Sequence, residues 1–287
     1  MRIIRAFPRK TNLTPTDDLS RYPDPSPKRK KGYPGGYEFP VLTDEADEIQ
    51  ISVSWVEDIQ KAERMAKAWE YVAPVKMGGP AFDDYGGDFV PGMFLKFGPV
   101  ITSRGCPVGC THCWAWKREG LEIRELPIMD GFDVLDNNLL ACSEPHQREV
   151  FQMLGRQIEP AKFTGGLEAA RLKRWHVEQL ASMRLQSAFF AYDEPADLEP
   201  LMEASKMLRE AEISREKLRC YVLIGYAGDT LESAEKRCQA VWDMNMIPFA
   251  MLWSDGKTEQ SREWKDFRRT WILPAIIRKR MKERANQ

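Results

Sequence analysis

Three cysteines fall within eight positions, Cys106, Cys110 and Cys113, spaced C-x3-C-x2-C in the stretch Ser-Arg-Gly-Cys-Pro-Val-Gly-Cys-Thr-His-Cys-Trp-Ala-Trp at 103–116. Thiolates are soft ligands that select iron–sulfur clusters and zinc. A four-iron cluster has four corners, and three thiolates leave one iron open to a small ligand, as the vacant position of a catalytic zinc is open to substrate. A structural zinc needs a fourth ligand and usually shows a second C-x2-C or a histidine pair downstream. The sequence has neither, although His112 lies inside the motif.

The rest of the composition narrows the setting. At 287 residues the chain has room for one barrel, or one domain with a small appendage. Hydrophobic residues at 43% suffice for a sizeable core and charged residues at 30% for an ordinary surface. A net charge of −1 gives no general attraction to nucleic acid or membrane. The sequence contains no run long and apolar enough for a membrane span and no secretory h-region at its start, so a cytoplasmic protein is expected. Six cysteines, three of them clustered, suit reduced thiols serving a metal better than a disulfide framework.

Four segments are expected. Residues 1–48 read as an irregular arm, interrupted by Pro8, Pro15, Pro23, Pro25, Pro27, Pro34 and Pro40, by Gly35-Gly36 and by the basic run Lys28-Arg29-Lys30-Lys31. Residues 49–98 hold one βαβ unit. Ile49, Ile51 and Val53 alternate as in a strand, Ile59, Ala62, Met65, Ala66 and Trp69 form a helix face, and Val75–Pro80 is a second strand ending in Gly78-Gly79-Pro80. From 99 to 253, apolar runs at 99–103, 132–135, 161–164, 187–192, 219–224 and 247–253 alternate with helical stretches, two of them capped by Ser143 and Thr230. That rhythm predicts a parallel α/β array, whose chemistry sits at the carboxyl ends of its strands. Residues 254–287 read as a basic helix carrying Trp264, Phe267, Trp271 and Ile272, closing the array's open side, with Arg278-Lys279-Arg280 in solvent. An RNA-contacting tail is the minor alternative.

Over residues 49–253 the chain resembles the radical S-adenosylmethionine (SAM) superfamily, on its cysteine spacing and on the residues that end its strands. The resemblance implies a partial (β/α)6 TIM-like barrel, with a 4Fe–4S cluster on Cys106, Cys110 and Cys113 whose open iron chelates SAM. An electron from the cluster would cleave the sulfonium to a 5′-deoxyadenosyl radical for hydrogen abstraction from an unidentified substrate. The 49–98 unit resembles the end of the cobalamin-binding domain found in one branch of that superfamily. Its Asp-x-His-x-x-Gly motif is absent, and His112, His146 and His176 all lie downstream, so the unit reads as a truncated remnant without cobalamin.

The same resemblance assigns the strand ends. His112 stands where an aromatic residue is usual near the adenine, and an imidazole stacks too. Trp114 and Trp116 either shield the cluster or belong to the core. The SAM amino group has two candidate seats. Gly165-Gly166-Leu167-Glu168 matches the superfamily's Gly-Gly-Glu in letters but comes one strand late. Asp136-Asn137-Asn138 ends the proper strand, and is favoured because position in the fold outranks letters; its oxygens suit an ammonium. Glu168 and Arg171 then lie near the SAM carboxylate and ribose, with an exposed helix arginine the alternative for Arg171. Asp193 is placed at ribose hydroxyls. Gly225 and Gly228 resemble a Gly-x-Pro-Gly-Glu-Thr turn, with Ala227 for the proline and Asp229 for the glutamate; a plain turn is the alternative. Cys142 is a candidate hydrogen-atom donor, weighed against a buried thiol, and Cys220 and Cys238 read as core.

The sequence shows no flavin or nicotinamide fingerprint, so an external reductant of flavodoxin or ferredoxin type is implied. Two other readings stand beside this one. The first is a methyl- or methylthio-transferring relative acting on RNA or protein. The second is a non-catalytic iron–sulfur or zinc protein that binds a partner through its basic ends.

Overall fold

Isoleucines at 3, 4, 49 and 51 build the first of two parallel sheets, in a mixed α/β chain described by a computed structural model over residues 1–23, 39–84, 89–254 and 259–286. The basic run Lys28–Lys31, Gly35-Gly36, Pro25, Pro27, Pro34 and Asp255 lie outside the described residues. The chain divides into two compact units, Met1–Val100 and Ile101–Gln287.

In the first unit, strands β1 (Ile3–Ala6), β2 (Ser20–Arg21) and β3 (Glu48–Ser52) precede helix α1 (Ile59–Trp69) and strand β4 (Val75–Gly78). They pair in parallel in the order β2-β1-β3-β4. Ile4, Ala6, Ile49, Ile51 and Val53 form a buried core with Ala62, Met65 and Trp69 of α1. The expected βαβ unit is present, but the expected irregular arm is corrected over its first 23 residues. There the chain supplies two strands, and Ile4 pairs with Ile49 across 45 residues. Pro8 and Pro15 fall between those strands, where neither removes a ladder hydrogen bond. Buried Arg21 is neutralised by Asp44 at 2.5 Å.

Strand β5 (Pro99–Val100) falls at the division and belongs to the sheet of the second unit. A short antiparallel pair follows, β6 (Ser103–Arg104) with β7 (Arg124–Glu125), enclosing helix α2 (Ala115–Glu119). Then come β8 (Asp133–Val134), α3 (Glu144–Arg156), β9 (Ala161–Phe163), α4 (Arg174–Ser182), β10 (Leu185–Ala191), α5 (Leu198–Glu210), β11 (Leu218–Ile224), α6 (Leu231–Asp243) and β12 (Ile247–Leu252). Ser143 caps α3 by accepting from His146 N, and Thr230 caps α6 by accepting from Ser233 N, as their positions in sequence predict.

The six-stranded sheet runs β5-β8-β9-β10-β11-β12, so its order follows the chain without a reversal. Cys220, Val222 and Ile224 on β11 are fully buried on the face where α6 packs. Phe189, Tyr221 and Phe249 line the other face, with Phe189 and Tyr221 stacked at 4.6 Å and Phe249 edge-on to both.

The C-terminal segment forms two helices, α7 (Arg262–Thr270) and α8 (Pro274–Ala285), instead of one. Pro274 sits in the first turn of α8, where a missing N–H is tolerated. Fully buried Trp271 covers the edge of β12, its carbonyl accepting from Ala250 N at 3.1 Å and its indole donating to Glu235 at 2.8 Å. The basic side chains, expected free in solvent, are in part ion-paired. Arg278 meets Glu216, Arg280 meets Glu235 at 2.7 Å, and Arg284 meets Asp243 at 3.4 Å. No helix among the described residues is long and apolar enough to cross a membrane.

Candidate functional site

The cysteine loop leaves β6 through Gly105, whose φ of +89° and close approach to Glu122 leave no room for a side chain. Its turns are tied internally. Cys106 N donates to Gly120 O, Cys113 N to Cys110 O and Ala115 N to Cys113 Sγ, while the Trp116 indole donates to Cys110 O at 2.7 Å. Trp116 is therefore an anchor of the loop, whereas Trp114 is half exposed and is not core. The Cys110 thiol is pushed up to about 11, first by burial and then by Cys113 and Cys106, which repel a negative charge on it. Asp197 and Asp193 act on it in the same direction. Among the described residues no group of three or more His, Cys, Asp or Glu side chains is disposed around one ion. Three thiolates on a single zinc would stand within about 4 Å of one another, given zinc–sulfur bonds of about 2.3 Å.

The three residues that end β8 divide their work. Buried Asp136 accepts from Thr102 N and Thr102 Oγ1 at 2.6 Å and from Ser103 Oγ at 2.7 Å. Burial nonetheless holds its carboxyl above the usual range. Asn137 Oδ1 accepts from Gly105 N at 3.2 Å. Both side chains are thus turned to the backbone that enters the cysteine loop, and serve to hold it. Asn138 instead faces Cys106, its Nδ2 lying 3.6 Å from Cys106 Sγ and 2.6 Å from Glu168 Oε2. Its Oδ1 is buried without a hydrogen-bond partner among the described residues.

The two sequence candidates for one seat therefore meet. Asn138 ends β8, Glu168 follows β9, and they are hydrogen bonded; Arg171 Nε donates to the same Glu168 oxygen at 2.6 Å. The glycine of the rival motif has a packing role. A Cβ on Gly165 would stand 2.3 Å from Asp136 O, so only glycine lets the end of β9 lie against that of β8.

At the other end of the sheet His112 reaches Tyr226, ring centroids 4.5 Å apart, and stands edge-on to Trp253 at 6.4 Å. Tyr226 was not singled out in the sequence, and Trp253 only as the last residue of an expected strand; the signal of each is its place at a strand end. Asp229 braces this turn by accepting from Gly225 N and pairing with buried Arg237, both at 2.9 Å. Gly225 has a φ of +73°, and a Cβ there would meet Leu252 at 2.8 Å. Gly228 has a φ of +86° with nothing within 4 Å, which fits the plain turn.

Asp193, just past β10, accepts from Leu223 N at 2.7 Å. Its carboxyl is pushed up to about 6, chiefly by burial, with Asp197 and Glu194 adding to the rise. Cys142 is buried, and its thiol is pushed up to about 11 by that burial. The thiol therefore keeps its S–H, which a hydrogen-atom donor needs and an inert buried thiol shares. Sequence reasoning also missed Thr102, Ser103 and His146, the last of which meets Thr102 Oγ1 at 3.3 Å.

No protein-family model matches the chain, and no curated protein sequence matches it.

Proposed function

We propose that this chain is a radical SAM enzyme, with a 4Fe–4S cluster on Cys106, Cys110 and Cys113 in a partial (β/α)6 barrel. The observation that carries the reading is a buried, unpartnered acceptor beside one of the three thiols. Asn138 Oδ1 is 97% shielded with its residue, lies in the side chain next to Cys106, and has no hydrogen-bond partner among the described residues. An orphaned buried acceptor is costly unless a ligand satisfies it. The donor types suit the cluster: three cysteines, soft ligands as thiolates, within one wrap of eight residues. The consecutive strand order also supports the barrel, since a doubly wound sheet would reverse.

Held by Cys106, Cys110 and Cys113, such a cluster would supply the single electron that reductive cleavage of SAM needs. The chain's own residues then have distinct tasks. Asn138 Oδ1 and the Glu168 carboxylate accept from the amino group, Arg171 takes the carboxylate, and His112 with Tyr226 and Trp253 walls the adenine. Asp193 is left for the ribose hydroxyls. Asp136 and Asn137 fix the loop that carries the thiols. The ion-paired C-terminal cations lend no support to an RNA substrate.

Anaerobic reconstitution tests the reading. The expected product is a brown protein with about four irons that releases 5′-deoxyadenosine under dithionite, and Cys110→Ala loses both properties. A colourless chain holding one zinc overturns it.

A further inference from the structure

We infer that the part of the substrate seated beside the site is a flat, uncharged aromatic ring, held on the face of the six-stranded sheet that carries Phe189, Tyr221 and Phe249, an inference that rests on the function proposed above. Parallel pairing sets the side chains of that face in rows. Ala191, Tyr221 and Phe249 make one row, and Leu223 with Met251 the next toward the carboxyl ends. Their neighbours along the strands, Phe190, Val222 and Ala250, point to the opposite face and are fully buried. Ala191 and Met251 are instead exposed, Met251 at 43%. Since β10 is flanked by β9 and β11, Ala191 is exposed by open space over the sheet and not by a free edge. This shelf reaches the site, because Asp193, two positions past Ala191, accepts from Leu223 N at 2.7 Å.

The side chains of the shelf select the ring. Phe189 and Tyr221 are stacked, and Phe249 stands edge-on to Tyr221 at 5.6 Å with the planes 89° apart. A further ring continues that herringbone, and aromatic pairs of these geometries attract beyond the area they bury, which a saturated ring does not share. Met251 adds a polarizable thioether, whose sulfur favours aromatic partners. None of the side chains in the two rows carries a charge. The Tyr221 hydroxyl is engaged, donating to Thr164 O at 2.9 Å, and burial, then Asp133, pushes its phenol up to about 12. The cations of this face stand nearer the amino ends, Arg219 in the row of Phe189 and Lys162 in the row below, beside Asp133. A carboxylate or ammonium on the shelf would therefore lose its water without meeting an opposite charge.

Methionine-methyl NMR of the full-length chain reads the shelf without turnover. The Met251 signal, identified by its loss in Met251→Leu, should move as p-cresol is added. A saturated ring of the same size, 4-methylcyclohexanol, and a charged ring, benzoate, should each need about tenfold more ligand for half the shift. Ala191→Leu should fill the shelf and remove the p-cresol shift, while the other methionine signals keep their positions. A Met251 signal indifferent to all three ligands, equal half-saturation by the saturated ring, or tighter binding of benzoate overturns the ring site. Should Ala191→Leu not fold, the three titrations of the wild type still decide. Iron content after reconstitution is read separately. A chain that holds no iron overturns the function, and its p-cresol titration still reports on the shelf.

Discussion

The two sheets of this chain are both parallel, and their strand orders lead them to different ends. In the N-terminal sheet, β2-β1-β3-β4, the order reverses between β1 and β3. Such reversals open a crevice at the carboxyl ends of the strands. Beside that reversal the ends of β3 and β4 are drawn together, since Gly79, with φ +111°, brings its backbone so close to Val53 that a Cβ would stand 2.8 Å from the Val53 carbonyl. Arg9 past β1 is held by Asp58 at 2.8 and 3.0 Å. In the second sheet no reversal occurs, and the carboxyl ends line up in chain order. Side chains about one strand–helix repeat apart, such as Asn138 and Glu168, become neighbours as a result. A consecutive order makes a rim of sites; a reversed order makes one crevice, which local packing can fill.

Two glycines, one in each region, should respond most differently to substitution. Gly105→Ala in the cysteine loop puts a Cβ 2.0 Å from Glu122 O, a backbone atom that cannot give way. The expected result is loss of cluster retention and of about 3 kcal/mol or more. Gly92→Ala in the first unit keeps a positive φ of +79° but meets nothing within 4 Å, so about 1 kcal/mol is expected. Equal losses by chemical denaturation would break the contrast.

Ile4→Ala comes next. Ile4 is fully buried in the N-terminal core, so truncation should cost that sheet about 3 kcal/mol. A variant as stable as wild type would restore the picture of an irregular arm.

The third expectation is a pH effect in the iron-free protein. Asp193, at about 6 when folded against 3.8 when unfolded, binds its proton more tightly in the folded state. Its contribution is therefore complete below about pH 4 and is lost as the pH rises through about 6. Relative to Asp193→Asn, wild type should lose about 3 kcal/mol across that window. Parallel stability curves for the two proteins would contradict the burial of this carboxyl. The smallest effect is expected from Arg284→Ala, below about 0.5 kcal/mol, because its ion pair with Asp243 is solvent-exposed.

The six strands of the second sheet were legible because each is an apolar run stopped by turn residues, and Ser143 and Thr230 announced their helices. β1 was not, since four residues are too few for a period and its partner lies 45 residues on. The cysteine loop could be picked out, but the division of Asp136-Asn137-Asn138 could not. Which of three adjacent polar side chains turns to the loop depends on where β8 lies beside it. The choice between Asn138 and Glu168 was posed as a rivalry because letters along a chain do not show that parallel pairing of β8 and β9 brings both to one place.

The open corner of the proposed cluster is the centre of this account, and electron paramagnetic resonance of the dithionite-reduced protein reads it directly. Adding SAM should shift the g-values of the reduced cluster in wild type, and the shift should need a higher SAM concentration in Asn138→Ala. A spectrum indifferent to SAM, or a protein with no iron signal, would contradict it.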